Sequence, residues 1–294
     1  MRRFAAPARN QVAALKKLTD FLFYSSIFIS LCGLALTAET YLVARIPLDA
    51  RVGLLIFFAT LFLYNLDSLL PYKTGQHLFL SERKKWIFGH RKLLLGVAVF
   101  SGMVVLALYT QLYRQVPFWF FIPFFIISVF YSLPVLPTTK GFIPLRDVPL
   151  LKVFLVALVW SGLTVLLPLL VSGAEIGAEE IYRFLLRRFL FIFALTLLFD
   201  IRDVQKDKRT GTVTFPGKFG VPFAKILSLS ALAFFIVLTL FQETGHERIA
   251  LVLSAVFAAI VVAFSEEHRP DYYYAGLADG MMLLQFLLVW IFMV

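Results

Sequence analysis

The stretch Phe189-Leu-Phe-Ile-Phe-Ala-Leu-Thr-Leu-Leu-Phe199-Asp200-Ile-Arg202-Asp203-Val-Gln-Lys206-Asp207-Lys-Arg209 changes character at one peptide bond. Up to Phe199 it carries no charge. From Asp200 onward, acids and bases crowd together. The first half reads as the end of a membrane-spanning segment of about 184–200. The second half reads as its polar continuation, leaving the bilayer.

Composition places this stretch in context. The chain has 294 residues, of which 60% are hydrophobic and 16% aromatic, including 33 Phe. Charged residues are also 16%, and mean hydropathy is +0.85. An ordinary soluble domain carries about 25% charged residues, so a water-soluble enzyme is excluded. Disorder is excluded by the hydrophobicity. A disulfide scaffold is excluded because Cys32 is the only cysteine. The formal net charge of +10 would suggest nucleic acid in a soluble protein, but here it belongs to membrane topology, and no nucleic-acid partner is expected.

Nine apolar segments are legible, at about 21–37, 52–70, 93–110, 118–137, 150–171, 184–200, 222–241, 248–264 and 277–293. Backbone groups in hydrocarbon must be satisfied within the segment, so each is expected to be helical. Runs such as 151–158 and 250–264 lack the alternation of a membrane β-barrel. Lys and Arg collect in the N-terminal tail, the 2–3, 4–5 and 6–7 loops and at Arg269. That bias predicts a cytoplasmic N-terminus and a C-terminus outside. The fold class expected is an all-α integral membrane protein with one domain over 1–294. The short N-terminal tail has no transit-peptide pattern, which points to a bacterial inner membrane.

Asp200, Asp203 and Asp207 stand at i, i+3 and i+7, so they project from one helical face. Like charges so placed repel, and a divalent cation is the natural compensation. Carboxylates are hard ligands, and Mg²⁺ typically takes one or two of them with waters and phosphates. Arg202, Lys206 and Arg209 are interleaved as phosphate contacts. On spacing alone two readings stand: a solvated interfacial loop, or a metal–diphosphate site at a hydrophobic boundary.

The pattern Asp-x-x-Asp-x-x-x-Asp, followed by Gly211, Thr214, Pro216 and Gly220, resembles the second aspartate-rich motif of the UbiA-type membrane prenyltransferases. That family has nine membrane helices and two such motifs, on cytoplasmic-side loops after helices 2 and 6. The resemblance implies a UbiA-like bundle in which Asp200, Asp203 and Asp207 hold Mg²⁺. It implies an enzyme that transfers a prenyl group from a prenyl diphosphate to a lipophilic, possibly aromatic, acceptor. Ionisation would leave an allylic carbocation, which the acceptor captures.

The first motif departs from the family pattern. Asn65 fits, but Leu69 and Lys73 stand where acids are expected, and Asp67 is the nearest carboxylate. Asn65 and Asp67 remain the candidates there, with Lys73 supplying positive charge. Tyr131-Ser132 and Lys140 fall where the family often carries residues near the diphosphate. Asp279, within the last span, is expected to face the protein interior. Tyr272, Tyr273 and Tyr274 read as a membrane-interface belt. Two readings stand for the run Ser81–Trp86: an interfacial amphipathic helix with Trp86 at headgroup level, or, with the rest of the loop Lys73–Lys92, a source of other substrate contacts.

Two other classes are kept: a catalytically degenerate relative that binds a polyprenyl diphosphate or lipid head group without turnover, and a transporter. The lack of paired, interrupted short helices argues against the transporter. The shared-site reading predicts that a structure brings Asp200, Asp203 and Asp207 together with Asn65 and Asp67. Side chains scattered toward bulk water would refute it.

Overall fold

The computed structural model describes residues 5–69, 82–139 and 141–294. The described residues form thirteen α-helices: α1 Ala5–Tyr24, α2 Ile27–Val43, α3 Ala50–Leu69, α4 Glu82–Gly89, α5 Arg91–Leu112, α6 Ile122–Ser132, α7 Lys152–Ser161, α8 Leu167–Ser172, α9 Ala178–Thr210, α10 Phe215–Phe219, α11 Val221–Gln242, α12 His246–Ala263 and α13 Asp279–Met293. Neighbouring helices pack in the order α5, α3, α2, α13, α12, α11, α9, α7. The larger core cluster runs through α2, α7, α9, α11, α12 and α13. It is built from side chains such as Leu36, Phe191, Leu198, Leu232 and Tyr274.

Among the described residues, six helices are long and apolar enough to cross a membrane, or seven if the bent α1–α2 pair is one span. The expected nine differ in three places. The first expected segment, 21–37, runs across a 57° bend between α1 and α2, where Ser26 takes a left-handed φ of 67°. The fourth contains only an 11-residue helix, α6. Pro134, Pro137 and Gly141 then redirect the chain into a two-stranded hairpin, with β1 Leu136–Thr138 antiparallel to β2 Gly141–Ile143. The sixth is not a bare span. Helix α9 has 33 residues and is about 50 Å long, against a hydrocarbon core of about 30 Å. Its charged end therefore projects beyond the hydrophobic zone.

Local chemistry sets the ends of α9. Glu179 and Glu180 sit in its first turn, and Lys208 and Arg209 in its last, each complementing the helix dipole. Gly211 stops it at φ 74°, a conformation that suits glycine. Thr214 precedes α10, Pro216 lies in its first turn, and Gly220 at φ 90° opens α11. The glycines, threonine and proline after the three aspartates thus shape the backbone.

The opposite half of the bundle also contains charge. Arg188 pairs with Glu39 and donates to the carbonyl of Leu36 (3.0 Å) and to Thr40 Oγ1 (3.2 Å). Thr40 in turn donates to the carbonyl of Thr164 at 2.9 Å, inside a π-helical turn over Gly162–Leu166. Arg187 pairs with Glu243, which ties α9 to the end of α11. Arg188 and Glu39 are both buried. Removing one partner strands the other charge in the bundle, so Arg188→Ala is expected to cost about 3–5 kcal/mol, read from denaturant unfolding in micelles. The Glu39→Ala, Arg188→Ala double variant is expected to lose less than the sum of the single variants.

Candidate functional site

The acidic end of α9 is completed by a residue from another helix. Lys152 is the first residue of α7. Its Nζ lies 2.7 Å from Asp200 Oδ1 and 3.8 Å from Asp207 Oδ2. Asp200 and Asp207 are i and i+7 on one helix face, and one ammonium is shared between them. A lysine at a helix N-terminus is disfavoured by the helix dipole and needs an anion nearby; here two carboxylates supply it. The connections preceding α7 and following α9 are clipped together. Leu150 N–H donates to the carbonyl of Val213 at 3.0 Å, and Thr212 Oγ1 donates to Asp147 Oδ1 at 3.0 Å. Leu150 sits at φ 62°, a strained value for leucine.

Asp203 faces a different set of cations. Arg202 grips it with two hydrogen bonds, Nε to Oδ1 at 2.9 Å and Nη2 to Oδ2 at 3.1 Å. Lys206 Nζ lies 3.5 Å away. Burial penalises the Asp203 carboxylate, but Arg202 and then Lys206 outweigh it and hold the acid well below the usual carboxylate range. Burial pushes Asp207 the other way, and Lys152 only partly offsets it. The Arg202 guanidinium lies over the rings of Phe199 (5.1 Å) and Tyr274 (5.8 Å), which fix it from the apolar side.

Exposure separates the groups that face open space from those behind them. The side chains of Lys152, Arg202 and Asp203 remain 17–18% exposed, while Asp200 is 2% and Asp207 7%. The accessible part of the site is therefore rich in cations. Lys84 on α4 joins it, within electrostatic reach of Lys206, Asp203 and Arg146. Burial, together with the charge of Lys206, pushes Lys84 down to about 8. Trp86 on the same helix packs against Phe21 and Tyr24 of α1. These contacts seat α4 on the bundle.

The other sequence candidates are placed as follows. Asn65 is fully buried. Its amide donates to the carbonyls of Ser25 (3.0 Å) and Leu61 (2.8 Å), so it holds the α1–α2 bend against α3. Asp67 accepts from Ser132 and lies 3.7 Å from Arg146. Tyr131 stands within electrostatic reach of both acid groups, near Lys152, Asp67, Asp200 and Arg146. Asp279 is within reach of Arg83 and Arg202, and its carbonyl accepts from the Cys32 thiol at 3.3 Å. Lys73 and Lys140 lie outside the described residues. Arg209 lies in the last turn of α9 and takes part in interactions of its own.

Of the expected tyrosine belt, one member lies inside the protein. Tyr274 is fully buried and donates to the carbonyl of Glu266 at 2.5 Å. Tyr273 donates to the carbonyl of Val261, and Tyr272 to Asp20. Their hydroxyls are used within the protein, as buried tyrosines require. Sequence reasoning missed Lys152 and Arg146 as site residues. The one available signal was a lysine in the first turn of an otherwise apolar helix.

The fold is that of a polytopic helical membrane protein similar to UbiA homologues of known structure. The chain resembles a UbiA homologue from Archaeoglobus fulgidus at a TM-score of 0.63 and 15% identity, covering 93% of this chain and 99% of that one. A structure of that homologue bound to GPP and Mg²⁺ matches at 0.62 and 14%, with the same coverage. The apo UbiA homologue from Aeropyrum pernix K1 matches at 0.60 and 15%, covering 91% and 99%. A digeranylgeranylglyceryl phosphate synthase structure matches at 0.52 and 14%, covering 94% and 98%. No family model and no curated protein matches the sequence.

Among the described residues, no group of three or more His, Cys, Asp or Glu side chains is arranged to hold a metal ion. Asp200 and Asp207 are turned to Lys152, and Asp203 to Arg202. The donor set proposed from sequence is thus gathered at one helix end, with two acids sharing one ammonium and the third turned to Arg202.

Lys84 gives this site a pH dependence. The ammonium is lost as pH rises through about 8, so affinity for an anion is expected to fall above that pH, and Lys84→Arg to flatten the profile. The stability linkage has the opposite sign. Between about 8 and the ordinary 10.5 the unfolded chain keeps a proton that the folded chain has released. The contribution of Lys84 to stability therefore rises with pH in that window. Titration of pyrophosphate binding from pH 6.5 to 9.5 checks the first part, and unfolding over pH 7.5 to 10.5 the second.

Proposed function

We propose that this protein is an intramembrane prenyltransferase that takes a prenyl diphosphate and passes its prenyl group to a lipophilic acceptor. The observation that carries the reading is the cluster of partly exposed cations at the polar end of an apolar bundle, centred on Arg202, Lys206, Lys84 and Lys152. An amphiphile with an anionic head and a hydrocarbon tail is the ligand such a boundary suits. The fold is one on which relatives are described with GPP or DMAPP and Mg²⁺.

In this reading Arg202 and Lys206 hold the diphosphate oxygens and stabilise the charge that develops as the allylic C–O bond breaks. Asp203 keeps the Arg202 fork in place. The packing of Arg202 on Phe199 and Tyr274 fixes its direction, so little reorganisation is needed at the moment of ionisation. The apolar bundle below excludes water, which would otherwise capture the carbocation. Substrate positioning is assigned to Tyr131, Asp67 and Asp279, and a supporting role to Asn65, which holds α3 to the α1–α2 bend. Lys73, Lys140 and Arg209 add positive charge on the sequence reading.

Mg²⁺ is the ion that the resemblance brings with it, with Asp200, Asp203 and Asp207 as its donors. These residues do not fit a ready metal centre, because each carboxylate is engaged by a side-chain cation. The reaction as argued here therefore depends on Arg202, Lys206 and their supports.

A second reading has its own support. Leu69 stands where the family's first motif carries an acid, which favours binding without turnover. The two readings separate on released pyrophosphate. Purified protein given labelled prenyl diphosphates and an acceptor panel is expected to release pyrophosphate, and Arg202→Ala to slow that release about 100-fold. Tight binding with no release in the unmodified protein would establish the binder.

A further inference from the structure

The sequence offers three carboxylates and the fold suggests a metal, yet the tertiary structure sets a lysine among them. We propose that Lys152 is the resident cation of the acidic motif, and that diphosphate binding at this site needs no Mg²⁺. This rests on the prenyl diphosphate reading above and deepens it.

The geometry carries the argument. Mg²⁺ demands near-octahedral oxygen ligands at about 2.0–2.1 Å and dehydrates reluctantly. Asp200 Oδ1 already has an ammonium at 2.7 Å, and Asp207 Oδ2 has the same ammonium at 3.8 Å. Both carboxylates lie behind that ammonium, at 2% and 7% exposure. A metal reaching them must displace Lys152 from both.

The lysine is also anchored. It opens α7 two residues after Leu150, whose N–H is held by the carbonyl of Val213. The turn before it is held by Asp147 and Thr212. These two bonds join the segment preceding Lys152 to the segment following Asp207, so lysine and acids are tied from both sides. The strained φ of Leu150 is kept by the same clip. Asp203, the one accessible acid of the three, is occupied by the Arg202 fork.

Charge balance points the same way. At the first motif, position 69 is a leucine where the family carries an acid. Fewer acids there leave less negative charge for metal ions to neutralise. Lys152, Arg202, Lys206 and Lys84 supply fixed positive charge that a trianionic diphosphate would otherwise draw from divalent ions. A fixed cation gives up the variable occupancy of a metal and gains permanence.

The test uses the full-length protein in lipid nanodiscs with geranyl diphosphate as probe. Binding is measured by calorimetry in EDTA and in millimolar Mg²⁺, and Mn²⁺ uptake by the ligand-free protein is followed by electron paramagnetic resonance. The expected result is a Kd that differs by no more than about threefold between EDTA and Mg²⁺, with no Mn²⁺ bound at micromolar concentration. Lys152→Ala is expected to weaken binding in EDTA by about tenfold or more, to regain it with Mg²⁺, and to take up Mn²⁺. Lys152→Arg is expected to keep the metal-independent behaviour. Binding by the unmodified protein that appears only with Mg²⁺, or Mn²⁺ uptake without ligand, overturns the inference and leaves the transferase reading intact. Those two measurements need no variant, so they decide the matter even where Lys152→Ala does not fold. Absence of binding in both EDTA and Mg²⁺ overturns the prenyl diphosphate reading itself.

Discussion

A charge that enters a membrane bundle must meet its opposite, and the contact of Lys152 with Asp200 and Asp207 is where this requirement shapes the molecule most. Without it, α9 would carry two buried carboxylates with no counterion at its membrane edge, at a cost of several kcal/mol for each ion. With it, the start of α7 is fixed against the end of α9. The turn before Lys152 and the turn after Asp207 are then close enough to share the Leu150–Val213 and Asp147–Thr212 bonds. The position of Arg202 follows, because the same helix end turns its guanidinium onto Phe199 and Tyr274.

The same rule acts at the other end of the bundle with a different outcome. Arg187 and Arg188 lie in a stretch with nearby positive charge at Arg183, and each finds a glutamate from another helix, Glu243 and Glu39. Here the pairs are closed on themselves, and Arg188 also meets the carbonyl of Leu36 and the hydroxyl of Thr40. Near Asp203 the cations stay partly accessible. Chemical capacity therefore differs between the two ends, although both are built from ion pairs. Accessible positive charge, beside an apolar interior, is what suits one end to an anionic amphiphile.

Much of this was legible from residue patterns. The apolar segments and the break at Asp200 follow from transfer energetics that act on local sequence. The three acids lie within eight residues, and the glycines at 211 and 220 mark the backbone turns that the structure contains. The bend at Ser26 was not legible, because a left-handed serine is fixed by Asn65 reaching across from α3 rather than by its neighbours in sequence. The hairpin after α6 was hidden inside what reads as an apolar span. The tyrosines at 272–274 have the composition of an interface belt, and only their distant partners Asp20, Val261 and Glu266 show them to be internal ties.

The sequence alone determined a helical membrane protein with an acid-rich helix end, because hydrophobicity and helical spacing are properties of neighbouring residues. It could not determine what those acids face. Lys152 is 48 positions before Asp200, and Lys84 belongs to a helix more than a hundred residues away from it. Electrostatic pairing depends on distance in space, and the bundle alone sets that distance. The tertiary structure thus decided that the acids meet side-chain cations, and that the open part of the site is basic.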